Sequence, residues 1–226
     1  MTMQPLKDNN STSRSMPSYR TIRLDSKHPH IGCVIMASGF GRRFGENKLM
    51  APLLGEPLIS YILKTVKELP ELSVVVVTRY ESVETLCKQL SIPVLLHNMP
   101  DKNDTIRLGL QYLLNQHKDT LKGCMFCTGD QPLLRKESLA AMTEAFAQSC
   151  HNIYRLSYEN ISSNPVLFDR FYFDALLSLP KGKGGNSIIK QNPEQVIIVP
   201  ARDKYELYDI DTAHDMGVIK SHLTSL

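Results

Sequence analysis

Hydrophobic positions beyond the first thirty residues alternate between two kinds of spacing. Short runs that are apolar at every position, such as VVVV at 74–77, are typical of strands buried on both faces of a sheet. Between them, apolar residues such as Ile59, Ile62 and Val66 recur three or four positions apart, which is typical of amphipathic helices. The pattern predicts an α/β chain with a mainly parallel sheet covered by helices on both faces.

The individual elements can be assigned from this pattern. The predicted strands are Ile31–Ala37, Ser73–Thr78, Val94–His97, Cys124–Thr128, Ile153–Ser157, Pro165–Phe168 and Val196–Val199. The predicted helices are Pro57–Leu69, Glu81–Leu90, Asp104–Gln116, Lys136–Gln148, Asp169–Leu177 and Asp211–Ser221. Because ligands of such sheets bind outside the carboxyl ends of the strands, the segments after the first, fourth and sixth predicted strands are the functional candidates.

Composition and charge exclude two classes of partner. The chain is 42% hydrophobic and 22% charged, which is ordinary for a globular protein, and it contains no apolar run near the roughly 18 residues that span a bilayer. Its small positive charge resides in residues 1–30, so the remainder is neutral and lacks the basic surface of a nucleic-acid-binding protein. We expect a cytoplasmic protein with no membrane and no nucleic-acid partner.

Residues 1–30 differ from the rest of the chain. They are rich in Ser, Asn, Arg and Pro and lack the apolar core of a secretory signal. An organelle transit peptide is an alternative, although Asp8 and Asp25 argue against it. We expect a mobile N-terminal tail at 1–30, followed by one domain at 31–226.

The five cysteines predict a reduced protein without a thiol site. Their number is odd and their spacing does not define a disulfide framework. Cys124 and Cys127 form a CxxC inside an apolar strand, where an odd separation directs side chains to opposite faces. We therefore expect these thiols to pack in the core rather than to form a redox or zinc site.

A basic, glycine-rich segment follows the first predicted strand. Between Ser38 and Lys48, glycines would let backbone N–H groups approach anionic oxygens, and the arginines would neutralise their charge. A Rossmann fingerprint would require glycine at Phe44, and a Walker loop would require Ser or Thr after Lys48. The segment therefore predicts a phosphate-binding loop of another kind.

This segment resembles the phosphate-binding signature of the molybdenum-cofactor nucleotidyltransferase family, L-A-[GA]-G-x-S-x-R-M/F-G-x-x-K. The matching residues are Met36, Ala37, Ser38, Gly39, Arg43, Phe44, Gly45 and Lys48, and Gly41 replaces the usual Ser. The resemblance implies a Rossmann-like three-layer α/β/α nucleotidyltransferase fold. It also implies that Arg43 and Lys48 are catalytic and that the nucleotide is bound by Ala37, Ser38, Gly39, Gly41, Arg42 and Gly45.

An acidic motif, Gly-Asp-Gln-Pro, follows the fourth predicted strand. A carboxylate at a strand end can bind Mg²⁺ together with phosphate oxygens and water, although Asp130 could also simply begin a turn. Together with the first loop, the motif resembles the GDQP metal motif of the same family. The resemblance implies that Asp130 is catalytic and binds Mg²⁺, and its Gln is typical of the cytidylyl-transferring members.

Later segments resemble the family in the same order along the chain. KNDTIRLGL resembles a segment that helps hold the base, which implies a nucleotide contact for Asp104 and Thr105. SSNPVLF resembles the family's GNPVLF strand, which implies that Asn164 faces the acceptor substrate. The third segment, LPKGKGGNSIIKQ, lacks the usual Asp and Arg of its family counterpart but still implies acceptor contacts for Lys183, Gly184 and Gly185.

The last matching segment, YDIDTAHDM, resembles D-I-D-T-P-E-D-L. The resemblance implies that Asp211 is a second Mg²⁺ ligand. The residues themselves leave another reading open, because either Asp211 or Thr212 could cap the last helix.

The implied reaction is attack by the phosphate of a molybdenum-bound pterin on the α-phosphorus of CTP. Guanylyl transferases of the family usually have glycine where Ser38 stands, which favours CTP over GTP. The alternatives are a guanylyltransferase, a sugar- or polyol-phosphate nucleotidyltransferase, and a nucleotide sensor or cofactor-insertion chaperone without turnover. The expected partners are CTP, a molybdopterin-type substrate and a recipient molybdenum hydroxylase.

Overall fold

The computed structural model describes residues 29–39 and 47–225 of the 226-residue chain. Most of the predicted tail lies outside these ranges. Part of the predicted phosphate-binding loop lies outside them too, and the predicted site residues concerned are Gly41, Arg42, Arg43 and Gly45. The first described strand begins at His30, one residue earlier than predicted.

The described residues form nine strands and seven α-helices. The strands are β1 (His30–Ala37), β2 (Pro52–Leu53), β3 (Glu56–Pro57), β4 (Leu72–Thr78), β5 (Val94–Leu96), β6 (Leu121–Thr128), β7 (Ile153–Tyr158), β8 (Ile161–Asp169) and β9 (Val196–Pro200). The helices are α1 (Ile59–Lys67), α2 (Glu81–Gln89), α3 (Lys102–His117), α4 (Lys136–Gln148), α5 (Phe173–Leu177), α6 (Asn186–Gln191) and α7 (Ala213–Thr224). None of these helices has the length and apolar character needed to cross a bilayer.

Seven of the strands form one sheet in the order β5-β4-β1-β6-β8-β7-β9. Each neighbouring pair is parallel except the two pairs that contain β8. The predicted mainly parallel sheet is therefore confirmed. Because the carboxyl ends of parallel strands share one edge, β1, β4, β5 and β6 place the residues that follow them at the same edge.

Alternation along the buried strands divides the core between the two faces of the sheet. In β1, Cys33 and Ile35 pack with α1, α2 and α4, whereas Val34 packs with α3, α5 and α6. This is the predicted three-layer α/β/α arrangement. Cys124 and Cys127 lie on opposite faces as buried free thiols, which confirms the interpretation of the CxxC.

β8 runs against its neighbours because a tight hairpin connects it to β7. Tyr158 pairs with Ile161, and Glu159 between them has a left-handed φ of 51°. A turn of two residues can join only antiparallel strands. The prediction of a functional segment after the sixth predicted strand is therefore wrong. The start of β8, near Asn164, lies at the shared edge, whereas the end of β8 lies at the opposite edge.

Two elements were not predicted, the β2–β3 hairpin and α6. The hairpin turns through Leu54 and Gly55, which both have positive φ, and its strands of two residues are too short to show alternation. The six residues of α6 are likewise too few for a helical repeat to be recognised. Pro57 belongs to β3, so α1 begins at Ile59 and not at Pro57.

Gly109 lets α3 approach the sheet closely. A β-carbon at Gly109 would lie 2.5 Å from Cγ1 of Val34 and 3.1 Å from Cγ2 of Val77. We therefore expect Gly109→Ala to lower the free energy of unfolding by about 1–3 kcal/mol through overpacking, as measured by urea denaturation.

Gly217→Ala in α7 is the matched control for this substitution. Nothing lies within 4 Å of a β-carbon at Gly217, so alanine should stabilise the protein by up to about 1 kcal/mol through its higher helix propensity. Equal effects of the two substitutions would contradict the close packing of α3.

Candidate active site

Asp130, one of the two residues predicted to bind metal, is held at the shared edge by backbone pairing. Beyond the end of β6, the N–H of Gly129 donates to the carbonyl of Met36 in β1 at 3.0 Å, so the pairing continues toward Asp130. A β-carbon at Gly129 would come within 3.3 Å of the side chains of Ile59 and Leu49. This packing disfavours a larger residue at Gly129 and sets Asp130 beside the end of β1.

Lys48 lies between two carboxylates of this edge. A short 3-10 turn begins at Lys48 and is capped by Asn47, whose side chain accepts a hydrogen bond from the N–H of Leu49. The turn buries Lys48 and directs its Nζ to Oδ2 of Asp130 and Oδ1 of Asp211, each 2.7 Å away. Three predicted site residues from distant parts of the chain therefore form one ion-pair cluster.

Asp211 reaches this cluster because the segment before α7 is bonded to the loop after β6. The N–H of Ile210 donates to the carbonyl of Asp130 at 3.1 Å. Thr212 caps α7, since its hydroxyl accepts a hydrogen bond from the N–H of Asp215. Asp211 is therefore not the helix cap, and α7 begins two residues later than predicted.

The sequence analysis missed a third carboxylate of this cluster, Asp209. Partial loss of solvation, followed by the charges of Asp130 and Asp211, raises the pKa of Asp209 to about 6, although the residue is exposed at the surface. The Lys48 ammonium and a hydrogen bond from Gln131 act in the opposite direction on this pKa. The Asp-Ile-Asp spacing was an available signal, because alternate residues of an extended segment point to the same side.

The cluster has an excess of negative charge, because three carboxylates face one ammonium group when all are ionised. Burial alone would lower the pKa of Lys48, but the charges and hydrogen bonds of Asp130 and Asp211 outweigh burial and raise it. Lys48 therefore stays protonated, and the remaining negative charge favours a bound cation.

The acceptor atoms at the end of β6 fit a hard divalent cation. Oδ1 of Asp130 is buried and has no hydrogen-bond partner among the described residues, and the same holds for Oγ1 of Thr128 and Oε1 of Gln131. Mg²⁺ prefers such oxygen ligands and usually combines one or two carboxylates with phosphate oxygens and water. Within the described ranges, no three His, Cys, Asp or Glu side chains are arranged to hold a metal alone, so a cation here would complete its coordination with water or phosphate oxygens.

Ser38, a predicted nucleotide-binding residue, belongs to a chain of hydrogen bonds that includes a histidine the sequence analysis missed. The N–H of Met99 donates to Nδ1 of His97 at 3.1 Å, which leaves the ring proton on Nε2 for Oγ of Ser38 at 2.7 Å. Oγ of Ser38 in turn donates to the carbonyl of Val77 at 3.0 Å. The serine side chain is thus anchored between β4 and a neutral imidazole.

The backbone around Ser38 is anchored to the same region. The carbonyls of three predicted nucleotide-binding residues accept hydrogen bonds from the end of β4 and from the two residues after it. The pairs are Thr78 Oγ1 to Ala37, Arg79 Nε to Ser38 and Tyr80 Oη to Gly39, at 3.0, 2.8 and 2.6 Å. These bonds fix the start of the predicted phosphate-binding loop.

Asp104 and Thr105 lie buried at the start of α3. Both carboxylate oxygens of Asp104 have protein partners, since Oδ2 accepts from the N–H of Asp101 at 3.2 Å and Oδ1 pairs with Arg107 at 2.8 Å. Asp104 therefore has a structural role in capping α3. The nucleotide contact that the resemblance implies for these two residues stays a prediction.

Asn164 lies at the start of β8, partly exposed and in a cis peptide bond with Pro165. Oγ of the preceding Ser163 accepts a hydrogen bond from Nε2 of Gln131 at 3.2 Å. Gln131 is fully buried and follows Asp130 directly. This bond connects the start of β8 to the acidic motif and brings Asn164 into its neighbourhood.

The predicted substrate loop, from Lys183 to Gly185, crosses the face of the sheet that α3 covers. A β-carbon at Gly185 would lie 3.0 Å from the ring of Phe168. The N–H of Lys183 donates to the carbonyl of Pro180 at 3.0 Å, which holds this part of the loop in a turn. Its side chain is exposed, Gly184 is partly exposed, and their contacts with substrate stay predictions.

Comparison with known proteins supports the class that this edge suggests, an enzyme that handles nucleoside triphosphates. The family model for the MobA-like NTP transferase domain matches residues 33–196. The chain is 27% identical over 210 residues to Purine catabolism protein PucB of Bacillus subtilis (strain 168), covering 86% of this chain and 98% of that one. It is 28% identical over 116 residues to the Probable molybdenum cofactor guanylyltransferase of Aquifex aeolicus (strain VF5), covering 51% and 54%.

A solved structure shares the fold over nearly the whole described region. It is a nucleotidyl transferase from Methanothermobacter thermautotroptrophicus, with a TM-score of 0.73, 19% identity and coverage of 87% of this chain and 98% of that one. The fold and the site define a nucleotidyltransferase. The chain belongs to the MobA-like NTP transferase domain family.

The lowered pKa of His97 predicts how the stability of the protein depends on pH. Burial and the charge of Arg79 lower the pKa of His97, and Asp104 partly offsets them. Since the unfolded chain then binds more protons below about pH 6.5, this contribution to stability is complete above that pH and falls as the pH falls. The urea midpoint of His97→Asn should therefore decline less between pH 7 and pH 5 than that of the wild type.

His30 has the same sign of effect, because burial and His117 lower its pKa too. His30 is retained in the His97→Asn variant, so the difference between the two proteins isolates His97. Parallel pH profiles for variant and wild type would refute the required neutral state of His97.

Proposed function

We propose that this protein transfers CMP from CTP to the phosphate of a molybdopterin-type acceptor, with Mg²⁺ as cofactor. The observation that carries the proposal is the position of Lys48 between Asp130 and Asp211, at the edge where the predicted phosphate-binding loop begins. A cation-binding carboxylate pair beside a basic loop suits a reaction between two anions. The product would be a cytosine dinucleotide form of the cofactor, destined for a recipient molybdenum hydroxylase.

The chemistry needs no nucleophile from the protein. A phosphate oxygen of the acceptor forms a bond to the α-phosphorus of CTP, and the bond to the leaving pyrophosphate breaks. Arg43, Lys48 and the loop amides would hold the triphosphate in line, while Asp130 and Asp211 would hold Mg²⁺. When bound, this ion would neutralise charge on the phosphate oxygens.

The choice of CTP over GTP rests on Ser38. Guanylyl members of the resembling family usually have glycine at this position, and a β-carbon narrows the space for a purine. The hydrogen bonds of Ser38 to Val77 and His97 support a fixed position for that carbon. A guanylyltransferase is the second candidate, because the Aquifex aeolicus relative is named as a probable guanylyltransferase.

The deciding experiment measures pyrophosphate release with Mg²⁺, a molybdopterin acceptor and each of the four nucleoside triphosphates in turn. Release with CTP alone supports the proposal, and release with GTP selects the second candidate. Tight nucleotide binding without release would instead identify a sensor or an insertion chaperone.

Lys48→Ala and Asp130→Ala should each lower turnover by about 10²-fold or more, because each removes charge stabilisation at the reacting phosphates. The matched controls are Lys88→Ala and Asp119→Ala, since both side chains are exposed and distant from the cluster. Turnover near the wild-type rate in Lys48→Ala and Asp130→Ala would sink the assignment.

Metal binding can be tested separately with two substitutions that remove the same charge. Asp211→Asn should weaken binding of Mn²⁺, a paramagnetic probe of the Mg²⁺ site, by about tenfold or more in the presence of CTP, because ligand charge sets cation affinity. Asp215→Asn should leave Mn²⁺ affinity unchanged and lower stability by about 1 kcal/mol, because Asp215 takes part in capping α7. The same Mn²⁺ affinity in both variants would remove Asp211 from the metal site.

A further inference from the structure

Buried polar atoms without a hydrogen-bond partner in the protein are candidates for contact with a ligand. Such atoms in the described residues include three at the end of β6, which lie at or next to Asp130 of the proposed metal site. Nε of Arg155, in the middle of β7, is another such atom and has no role in the proposed function so far. Buried polar groups in native proteins are nearly always hydrogen-bonded, so an unsatisfied one calls for a specific explanation, such as a role in binding or catalysis.

The Arg155 guanidinium lacks a negative partner. Its Nη2 donates to the carbonyl of Ser162 at 3.0 Å, and no acidic side chain in the described ranges pairs with it. Burial lowers the pKa of Arg155, and no neighbouring carboxylate opposes this effect. A partly buried cation without an anion is costly, whereas guanidinium binds carboxylate or phosphate with two parallel hydrogen bonds.

Part of the sheet face around Arg155 is open to solvent, and Arg155 itself is partly exposed. Arg155 pairs with Val166 of β8 and Ile198 of β9, so the three side chains form a row on one face of the sheet. Val166 is buried, but Ile198 is 53% exposed, which shows that the cover of this face ends beside Arg155. Lys183 belongs to the loop that crosses this same face, and its side chain is exposed.

Strand spacing gives the separation between Arg155 and the acidic cluster. The row that contains Arg155 continues through Val166 to Phe126 of β6, four residues before Asp130. Two strand spacings and four residues along a strand place the backbones of Arg155 and Asp130 about 16 Å apart. The backbone of Arg155 is therefore well separated from the acidic cluster, and its guanidinium suits a group on the acceptor that is remote from the reacting phosphate.

We propose that Arg155 binds an oxyanion, a phosphate or a carboxylate, on the part of the acceptor remote from the bond that forms. This rests on the proposed function insofar as the ligand is the acceptor. Arg155 would then select acceptors that carry a second anionic group, and Lys183 would add positive charge on the same face.

The test uses inorganic phosphate as the probe. Phosphate is titrated by calorimetry into the free protein and into protein saturated with Mg²⁺ and a non-hydrolysable CTP analogue, which occupies the triphosphate site. Arg155→Gln should weaken phosphate binding to the loaded protein by about tenfold or more, the scale of lost charge-assisted hydrogen bonds. Arg155→Lys should restore part of the affinity, because it keeps the charge and loses the paired geometry.

Arg170→Gln is the matched control, because Arg170 also bonds backbone carbonyls but lies at the opposite edge of the sheet. It should leave phosphate binding unchanged. With the molybdopterin acceptor, Arg155→Gln should raise the KM for acceptor about tenfold and leave the KM for CTP unchanged.

The outcomes separate this proposal from the proposed function. Equal phosphate affinity of wild type and a folded Arg155→Gln, or equal effects of Arg155→Gln and Arg170→Gln, would overturn the role of Arg155. If the CTP analogue does not bind, the proposed function fails. A loss of phosphate affinity in Arg155→Gln would in that case still support the oxyanion site, as measured in the free protein.

Discussion

The contact of one ammonium group with two carboxylates unites the functional edge of this protein. Lys48 follows β1, Asp130 follows β6 and Asp211 precedes α7, so their contact depends on the direct pairing of β1 with β6 and on the position of the segment before α7. The bond from Ile210 to the carbonyl of Asp130 ties two of these segments together through the backbone. A partly buried ion pair contributes little net stability, because desolvation offsets the attraction. The cluster is therefore better explained by a role in binding a ligand than by a contribution to the stability of the fold.

Features that are determined by residues close together in the sequence could be predicted, whereas features that depend on a turn or on contacts between distant residues could not. Apolar runs and helical spacing identify the long elements, and the predicted helix Lys136–Gln148 matches α4 at both ends. The direction of β8 depended on a two-residue turn at Glu159, which the apolar pattern does not register. Within the site, motif resemblance led to Lys48 and Asp130. His97 was missed because its partner Ser38 lies 59 residues away, a pairing that only the fold creates.

The hydrogen bonds to Ser38 show how residues near the ends of β4 and β5 could influence nucleotide recognition, although they lie outside the predicted phosphate-binding loop. Ser38 follows the end of β1. Its side chain is hydrogen-bonded to Val77 of β4 and to His97 after β5, and its carbonyl accepts a hydrogen bond from Arg79 after β4. A β-carbon discriminates between a pyrimidine and a purine only if it cannot move aside. The hydrogen bonds from His97 and Arg79 restrain it, so the proposed preference for CTP depends on these residues as much as on the serine.

In a reaction between two anions, the negative charges of both reactants must be neutralised at the site, because the reactants otherwise repel each other and the acidic cluster. In the proposed reaction, the acidic cluster around Asp130 would bind a divalent cation, through which a triphosphate could bind despite the surrounding carboxylates. The same carboxylates would repel an acceptor that carries a second anionic group, unless a cation of the protein pairs with that group. Arg155, two strands away on the same sheet, lies far enough from Asp130 that it gains no partner from the cluster. The sheet thus separates the acidic cluster, which favours a cation, from Arg155, which favours an anion. The proposed acceptor would bind Arg155 with one anionic group and would approach the acidic cluster with the other only through a cation bound there.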